Sequence, residues 1–325
     1  MADEATLSRA HGCLLGQLAG DSLGGLVEFR TPEANKGQYP EGVRELVDGG
    51  TWGTIAGQPT DDSEMALALA RTLVERGTYD RDRVREAYID WINSNPFDCG
   101  DTVMRGLGGR PNHSSQANGA MMRISPLGIF GATCDLEQVA RWAQEDAAIT
   151  HPNEICVQAN ALFAMAVSCA ISSGAGPQEL YSRVHGWTQE MRANDDLLRV
   201  VSQAQDVPPN DYVSSQGWVL IAFQNALWQL LHAQNVEEGV VDTVMRGGDT
   251  DTNAAIAGAL LGAVYGRDSI PAQWVEAVLN CRPDPMRRNV NHPRPRCYWP
   301  VDALEVAELL LRAGATRSRA ADTQR

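Results

Sequence analysis

Apolar residues recur at helical spacing through nearly the whole of this 325-residue chain, and runs of alternating β-branched residues are almost absent. That period confines the chain to an all-α fold. Helical runs are expected over 7–20, 64–76, 80–93, 119–130, 136–147, 154–172, 177–192, 214–232, 236–245, 253–265, 271–280 and 301–313, with Gly and Pro clusters between them. No composition shift marks a linker and no repeat of fixed period is present. Residues 1–313 therefore read as a single large compact multi-helix domain, and the Arg-bearing segment 314–325 as a solvated, disordered tail. Within the first run Gly12, Gly16 and Gly20 recur every four residues and make one smooth face that another helix can approach closely.

Composition narrows the partners. A formal net charge of -14 argues against a general nucleic-acid surface or a binder of anionic membranes, since both need a basic face. Cys13, Cys99, Cys134, Cys156, Cys169, Cys281 and Cys297 are odd in number and never spaced as Cys-x-x-Cys, which suggests neither a disulfide framework nor a zinc ribbon. Asp3, Glu4 and Arg9 precede an apolar stretch that Asp21 interrupts, unlike a signal peptide, so a cytoplasmic protein is expected. The longest apolar segment, Ile155 to Ile171, carries Gln158, Asn160 and Ser168, falls short of a typical spanning length and reads as a buried core helix.

Two acidic clusters open onto helical runs: Thr60-Asp61-Asp62-Ser63-Glu64, and Asp249-Thr250-Asp251 within Arg246-Gly-Gly-Asp-Thr-Asp-Thr-Asn253. Two readings are open. Asp61 and Asp249 or Asp251 can be helix N-caps, because an aspartate there satisfies orphan N–H groups and complements the helix dipole. A cap needs one oxygen, however, and each cluster supplies a surplus acid. With Glu28, after the Gly24-Gly25 turn, the chain offers five carboxylates that two divalent cations would nearly neutralise if they converge. Thr60 and Thr252 add oxygens at the same helix starts, and an all-oxygen donor set points to Mg²⁺ or Mn²⁺.

Asn118-Gly119 forms a tight turn before a helical run, whose backbone N–H groups can face an anion or can simply be a turn. Arg123 can be a ligand or a buried structural partner, and His151 can be a ligand or a solvated loop residue. Arg105-Gly-Leu-Gly-Gly-Arg-Pro111 follows no predicted strand and misses the dinucleotide fingerprint. His11, His113, His185, His232 and His292 show no ligand spacing, and no nucleophile elbow is present. An aspartate-nucleophile phosphatase would need an apolar strand before Asp-Thr-Asp, which Arg246-Gly-Gly248 does not provide.

The run Gly12-Cys-Leu-Leu-Gly-Gln-Leu-Ala-Gly-Asp-Ser-Leu-Gly24, TDDS at 60–63, ANGAMMRISPLG at 117–128, THP at 150–152 and GGDTDTNAAIAGALLGAVYG at 247–266 together resemble the ADP-ribosylglycohydrolase family, in particular its dinitrogenase reductase-activating glycohydrolase type. The resemblance covers residues 10 to 313, every motif in family order. It implies an all-α hydrolase with a dinuclear metal site that cleaves ADP-ribose from its acceptor on an ADP-ribosylated protein. By that resemblance Thr60, Asp61, Asp62, Asp249, Asp251 and Thr252 are metal ligands. Glu28 lies near the anomeric carbon, Asn118, Gly119, Ala120 and Met121 hold the diphosphate, and His151 helps hold ADP-ribose. Ser63 and Ala120 depart from the residues usual in the family without removing a ligand.

The segment Asn95-Pro-Phe-Asp-Cys-Gly-Asp-Thr-Val103 resembles the part of the arginine-specific members in which an aspartate lies beside the scissile bond. Asp98 there would suit a guanidinium, which pairs bidentately with a carboxylate. The other reading is that Asp98 or Asp101 caps the next short helix. The expectation is a metal-dependent hydrolase of the N-glycosidic bond between ADP-ribose and protein arginine, with Glu28, Asp62 or Asp98 managing protons. The alternatives are a serine, nucleic-acid or small-molecule adduct as substrate, or a non-catalytic ADP-ribose-binding relative.

Overall fold

The computed structural model describes residues 3–323. Fifteen α-helices and no strand are found among them: α1 (Glu4–Gly24), α2 (Pro32–Gln38), α3 (Asp61–Arg76), α4 (Arg81–Asn93), α5 (Asp101–Leu107), α6 (Ser125–Phe130), α7 (Leu136–Thr150), α8 (Glu154–Ser173), α9 (Pro177–Glu190), α10 (Asp195–Gln203), α11 (Val219–His232), α12 (Val236–Met245), α13 (Thr250–Tyr265), α14 (Ala272–Asn280) and α15 (Ala303–Thr323). The all-α, single-domain expectation holds.

The glycine face of α1 organises the molecule. A Cβ on Gly12 would stand 2.3 Å from the carbonyl oxygen of Gly262, on Gly16 2.1 Å from that of Gly258, on Gly20 2.2 Å from that of Ala254, and on Gly24 2.4 Å from the backbone of Asp251. The descending order of the partners makes α1 and α13 antiparallel, with backbones in direct contact along their length. No side chain larger than hydrogen fits at these crossings. The C-terminus of α1 thereby meets the N-terminus of α13, where the Thr250 hydroxyl donates to the Gly24 carbonyl at 2.7 Å.

Helix α8 is long and apolar enough to cross a membrane by composition, but 83% of its most apolar window is buried in the protein. Asn160 within it donates its amide N–H to the Cys156 carbonyl at 2.8 Å. It packs as the core helix expected from its sequence.

The structure departs from the sequence expectations at four places. α2, α5 and α10 are short helices within stretches left without a helix. The run 119–130 is not continuous: a 3₁₀ turn, Met121–Arg123, precedes α6. Pro126 has no N–H to give the Met122 carbonyl, and the Gln17 amide of α1 donates to that carbonyl instead, at 2.8 Å. α11 starts at Val219 rather than 214, because Ala117 and Trp218 form an isolated antiparallel bridge that holds 116–118 against 217–219. Finally, α15 continues past Ala313 to Thr323, so the segment expected as a disordered tail is helical that far; residues 324–325 lie outside the described chain.

Candidate metal centre and substrate cleft

Three helix termini converge on the acids. α1 contributes Asp21 from its last turn, the start of α3 contributes Thr60, Asp61 and Asp62, and the start of α13 contributes Asp249, Asp251 and Thr252. Asp21, Asp62 and Asp251 bring one carboxylate oxygen each within 4.8 Å of one another, and Glu28, Asp249 and Asp251 do the same. Asp251 belongs to both trios. The arrangement is two adjacent oxygen-lined positions sharing one carboxylate.

The N-cap reading of these aspartates fails on geometry. Thr60, the N-cap of α3, makes no side-chain cap bond, and neither does Asp249, the N-cap of α13. The α3 terminus is capped from another helix. Asp21 accepts the Thr60 N–H at 3.1 Å and the Ser63 N–H at 3.1 Å. The Thr60 hydroxyl lies 2.9 Å from an oxygen of Asp21 and 2.9 Å from one of Asp62. Asp249 instead accepts from the Asn118 amide at 2.7 Å.

Asp21 is the site residue that the sequence reading missed, having treated it only as a break in an apolar run. The available signal was an aspartate closing the apolar, glycine-rich stretch 12–24, in a helix expected to be packed closely against another. Glu64, the last acid of the first cluster, leaves the site: it forms a buried ion pair with Arg294 at 2.7 Å.

No salt bridge reaches Asp21, Glu28, Asp61, Asp62, Asp98, Asp249 or Asp251 among the described residues. Burial chiefly, then mutual repulsion, pushes Asp61, Asp62 and Asp251 well above the usual carboxylate range. Burial raises Asp21 to about 6 despite the hydrogen bonds it accepts. Burial, then Asp98 and Asp249, raises Glu28 to about 8, and burial raises Asp98. Asp62 keeps a buried oxygen, Oδ1, with no hydrogen-bond partner. Carboxylates so crowded and unpaired, one with an orphaned oxygen, fit hard divalent cations. The donor chemistry and the residues present therefore agree with the metal requirement implied by the motifs.

Beside these acids lies a cleft of about 270 Å³ whose lining includes Glu28, Asp61, Asp98, Asn118, Gly119, Met122, His151, Asp249, Asp251 and Thr252. Asp98 shares that wall with Asp61. It caps nothing, since α5 begins after Gly100 without a side-chain cap and Asp101 pairs with Arg105. Ala120 and Met121 do not line the cleft. Both are buried, the Met121 N–H is taken by the Asn118 carbonyl at 2.7 Å, and Met122 of the same turn stands in the wall. The short 3₁₀ turn also offers little of the dipole that a long helix would.

Arg123 is a structural partner. Fully buried, it pairs with Asp146 at 3.0 Å and donates to the Gly119 carbonyl at 3.1 Å and to the Thr150 hydroxyl at 2.9 Å. Thr150, accepting from Arg123, has its proton free for His151 Nδ1, 2.7 Å away. That relay places the imidazole proton on Nε2, which is buried, lacks a partner and belongs to a ring in the cleft wall. Burial, then the Arg123 charge, lowers the His151 pKa to about 3. His151 is therefore a neutral N–H donor rather than the solvated loop residue its sequence position also allowed.

The ADP-ribosylglycohydrolase family model matches residues 2–314. ADP-ribosyl-[dinitrogen reductase] glycohydrolase of Rhodospirillum rubrum is 32% identical over 82% of this chain and 89% of its own length. ADP-ribosylarginine hydrolase Tri1 of Pseudomonas putida strain GB-1 is 29% identical over 85% of this chain and 75% of its own. A solved ADP-ribosylglycohydrolase-related protein complex superposes with a TM-score of 0.77 at 27% identity, covering 96% of this chain and 100% of that one. The chain belongs to the ADP-ribosylglycohydrolase family, enzymes that hydrolyse ADP-ribose adducts.

Proposed function

We propose that this chain hydrolyses the N-glycosidic bond between ADP-ribose and an arginine of a protein, using two divalent cations, Mg²⁺ or Mn²⁺. The observation that carries the reading is the pair of oxygen trios sharing Asp251, directly beside a cleft with Asp98 in its wall. Thr60, Asp61, Asp62, Asp249, Asp251 and Thr252, with Asp21 in one trio, would hold the cations. Bound there, they would supply Lewis acidity and orient hydroxyls.

The chain's own side chains divide the remaining work. Asn118 fixes Asp249. Gly119 and the Nε2–H of His151 offer donors to ribose or diphosphate oxygens, and Arg123 holds both in place through Gly119 and Thr150. Among the three carboxyls suited to protons, Asp62 is 0% exposed and absent from the cleft wall, so its work is ligation. Asp98 lies in the wall, where a carboxylate can take a guanidinium bidentately. Glu28 is left to manage the proton: Trp52 Nε1 donates to its Oε2 at 2.6 Å, and its membership of the trio with Asp249 and Asp251 sets it beside the proposed cation position. The name of one relative, ADP-ribosylarginine hydrolase Tri1, supports an arginine acceptor.

Release of ADP-ribose from arginine-linked and serine-linked substrates, each with Mg²⁺, Mn²⁺ or chelator, tests the reading. Preference for the arginine linkage with chelator-sensitive turnover is expected. Preference for serine, or turnover in chelator, would overturn it.

A further inference from the structure

Phe29 combines features that core packing does not explain. Its backbone is left-handed, with φ of 64°, a conformation uncommon for any residue but glycine and an outlier for a bulky one. Its side chain is 53% exposed, and it is the one large exposed apolar residue in the cleft wall among the described residues. Its ring touches another aromatic only at an edge, with Trp52 at 6.4 Å. An unfavourable backbone that exposes a hydrophobic ring persists because its surroundings impose it, and such residues cluster at ligand clamps.

The surroundings are specific. The Phe29 N–H donates to the Gly248 carbonyl at 2.7 Å, while the Gly248 N–H donates to the Arg30 carbonyl at 2.9 Å. The turn carrying Phe29 is thus clipped to the Gly247-Gly248 turn that carries Asp249. On the other side the Thr51 hydroxyl donates to the Glu28 carbonyl at 3.0 Å. Glu28 is consequently turned inward, 4% exposed, and Phe29 outward beside it. Trp52, against the Phe29 ring, also meets Phe97, the residue before Asp98, with ring centroids 5.9 Å apart. An aromatic ring next to carboxylates in an acidic cleft is the environment that a planar cation fits.

We propose that Phe29 is a specificity-determining residue: its ring is the platform on which the acceptor's guanidinium lies while Asp98 takes its edge. This rests on the arginine-acceptor reading above. The ring selects for the cationic acceptor and contributes nothing to ADP-ribose itself.

The test compares the parent with Phe29→Leu, Phe29→Tyr and Phe29→Gly, using ADP-ribosylarginine as substrate and free ADP-ribose as competitive inhibitor. Phe29→Leu should raise KM for ADP-ribosylarginine about tenfold, with kcat little changed and the inhibition constant of ADP-ribose unmoved. Phe29→Tyr should restore the parent KM. Phe29→Gly relieves the backbone and should melt no lower than the parent, so that its raised KM cannot come from misfolding. An unchanged KM in Phe29→Leu overturns the proposal, as does a parallel rise in the ADP-ribose inhibition constant, which would assign the ring to the nucleotide. A parent that releases ADP-ribose from serine but not from arginine fails the underlying reading instead, a result separate from either of these.

Discussion

Asp21 in α1 and Thr60, the N-cap of α3, are 39 residues apart and are joined by the backbone N–H of Thr60 and by its hydroxyl. The last turn of α1 thus supplies the cap that α3 lacks, and fixes where Asp61 and Asp62 start. Asp21→Ala would strand two buried N–H groups and is expected to cost about 2–4 kcal/mol. Asp21→Asn keeps an acceptor oxygen and should recover most of that loss while still weakening divalent-cation binding. Urea unfolding in chelator, paired with calorimetric titration of Mn²⁺, separates the two effects. Equal cation affinity in parent and Asp21→Asn would confine Asp21 to capping.

The close crossing of α1 and α13 sets the distance between those acids. Gly16→Ala places a methyl where Gly258 O stands, so the helices must part. A stability loss of at least about 1–3 kcal/mol is expected, with a loss of activity larger than the unfolded fraction explains, because Asp21 and Asp251 ride on the two helices. Thermal melts and turnover on the soluble variant check this. A fully active, fully stable Gly16→Ala would contradict the packing account.

His151 carries a pH prediction. Its folded pKa of about 3 lies below the ordinary value of 6.5, so at pH under 6.5 the unfolded chain binds a proton that the folded chain refuses. Its contribution to stability is complete above pH 6.5 and is lost as pH falls toward 3. The stability difference between parent and His151→Gln should therefore shift against the parent between pH 6.5 and 4. The His151 ring resonances should show no titration across that range by NMR. His151→Gln, which offers an N–H near the same place, should retain more activity than His151→Ala. A ring that titrates near 6.5 would refute the neutral-donor assignment.

The acids predict the opposite slope in metal-free protein. Asp21 and Glu28 rise to about 6 and about 8 in the folded state. Their protonated forms stabilise the fold at low pH, and that contribution is lost as pH climbs from about 4 through 8. Divalent cations replace the protons, so the rise in melting temperature on adding Mn²⁺ should be larger at pH 8 than at pH 5. Equal increments at the two pH values would contradict the site.

The sequence made most long helices visible, because each buries an apolar stripe of several turns. It hid α2, Pro32–Gln38, and α5, Asp101–Leu107, since seven residues give too few turns for a period to emerge. α10 is amphipathic, burying Leu197, Val200 and Val201, yet nine residues are barely longer. Two acidic half-sites were legible because their carboxylates are adjacent or alternate in the chain. Asp21 was not, because its partners, Thr60, Asp62 and Ser63 at the start of α3 and Asp251 in α13, are brought to it only by the packing of α1 against both helices. The Asn118 turn is legible, but the bond from the Gln17 amide to the Met122 carbonyl, across 105 residues, is one that no local pattern reveals.

The central claim is that Asp251, shared by both oxygen trios, is needed for metal-dependent release of ADP-ribose from arginine. The direct measurement is release from an ADP-ribosylarginine protein by the parent and by Asp251→Ala, each in chelator and with Mn²⁺ restored, with folding checked by circular dichroism. The account predicts parent turnover that vanishes in chelator and returns with Mn²⁺, and a folded Asp251→Ala slower than the parent by about a hundredfold with Mn²⁺ present. A parent inert toward arginine-linked ADP-ribose with metal present, or an Asp251→Ala variant as active as the parent, would contradict it.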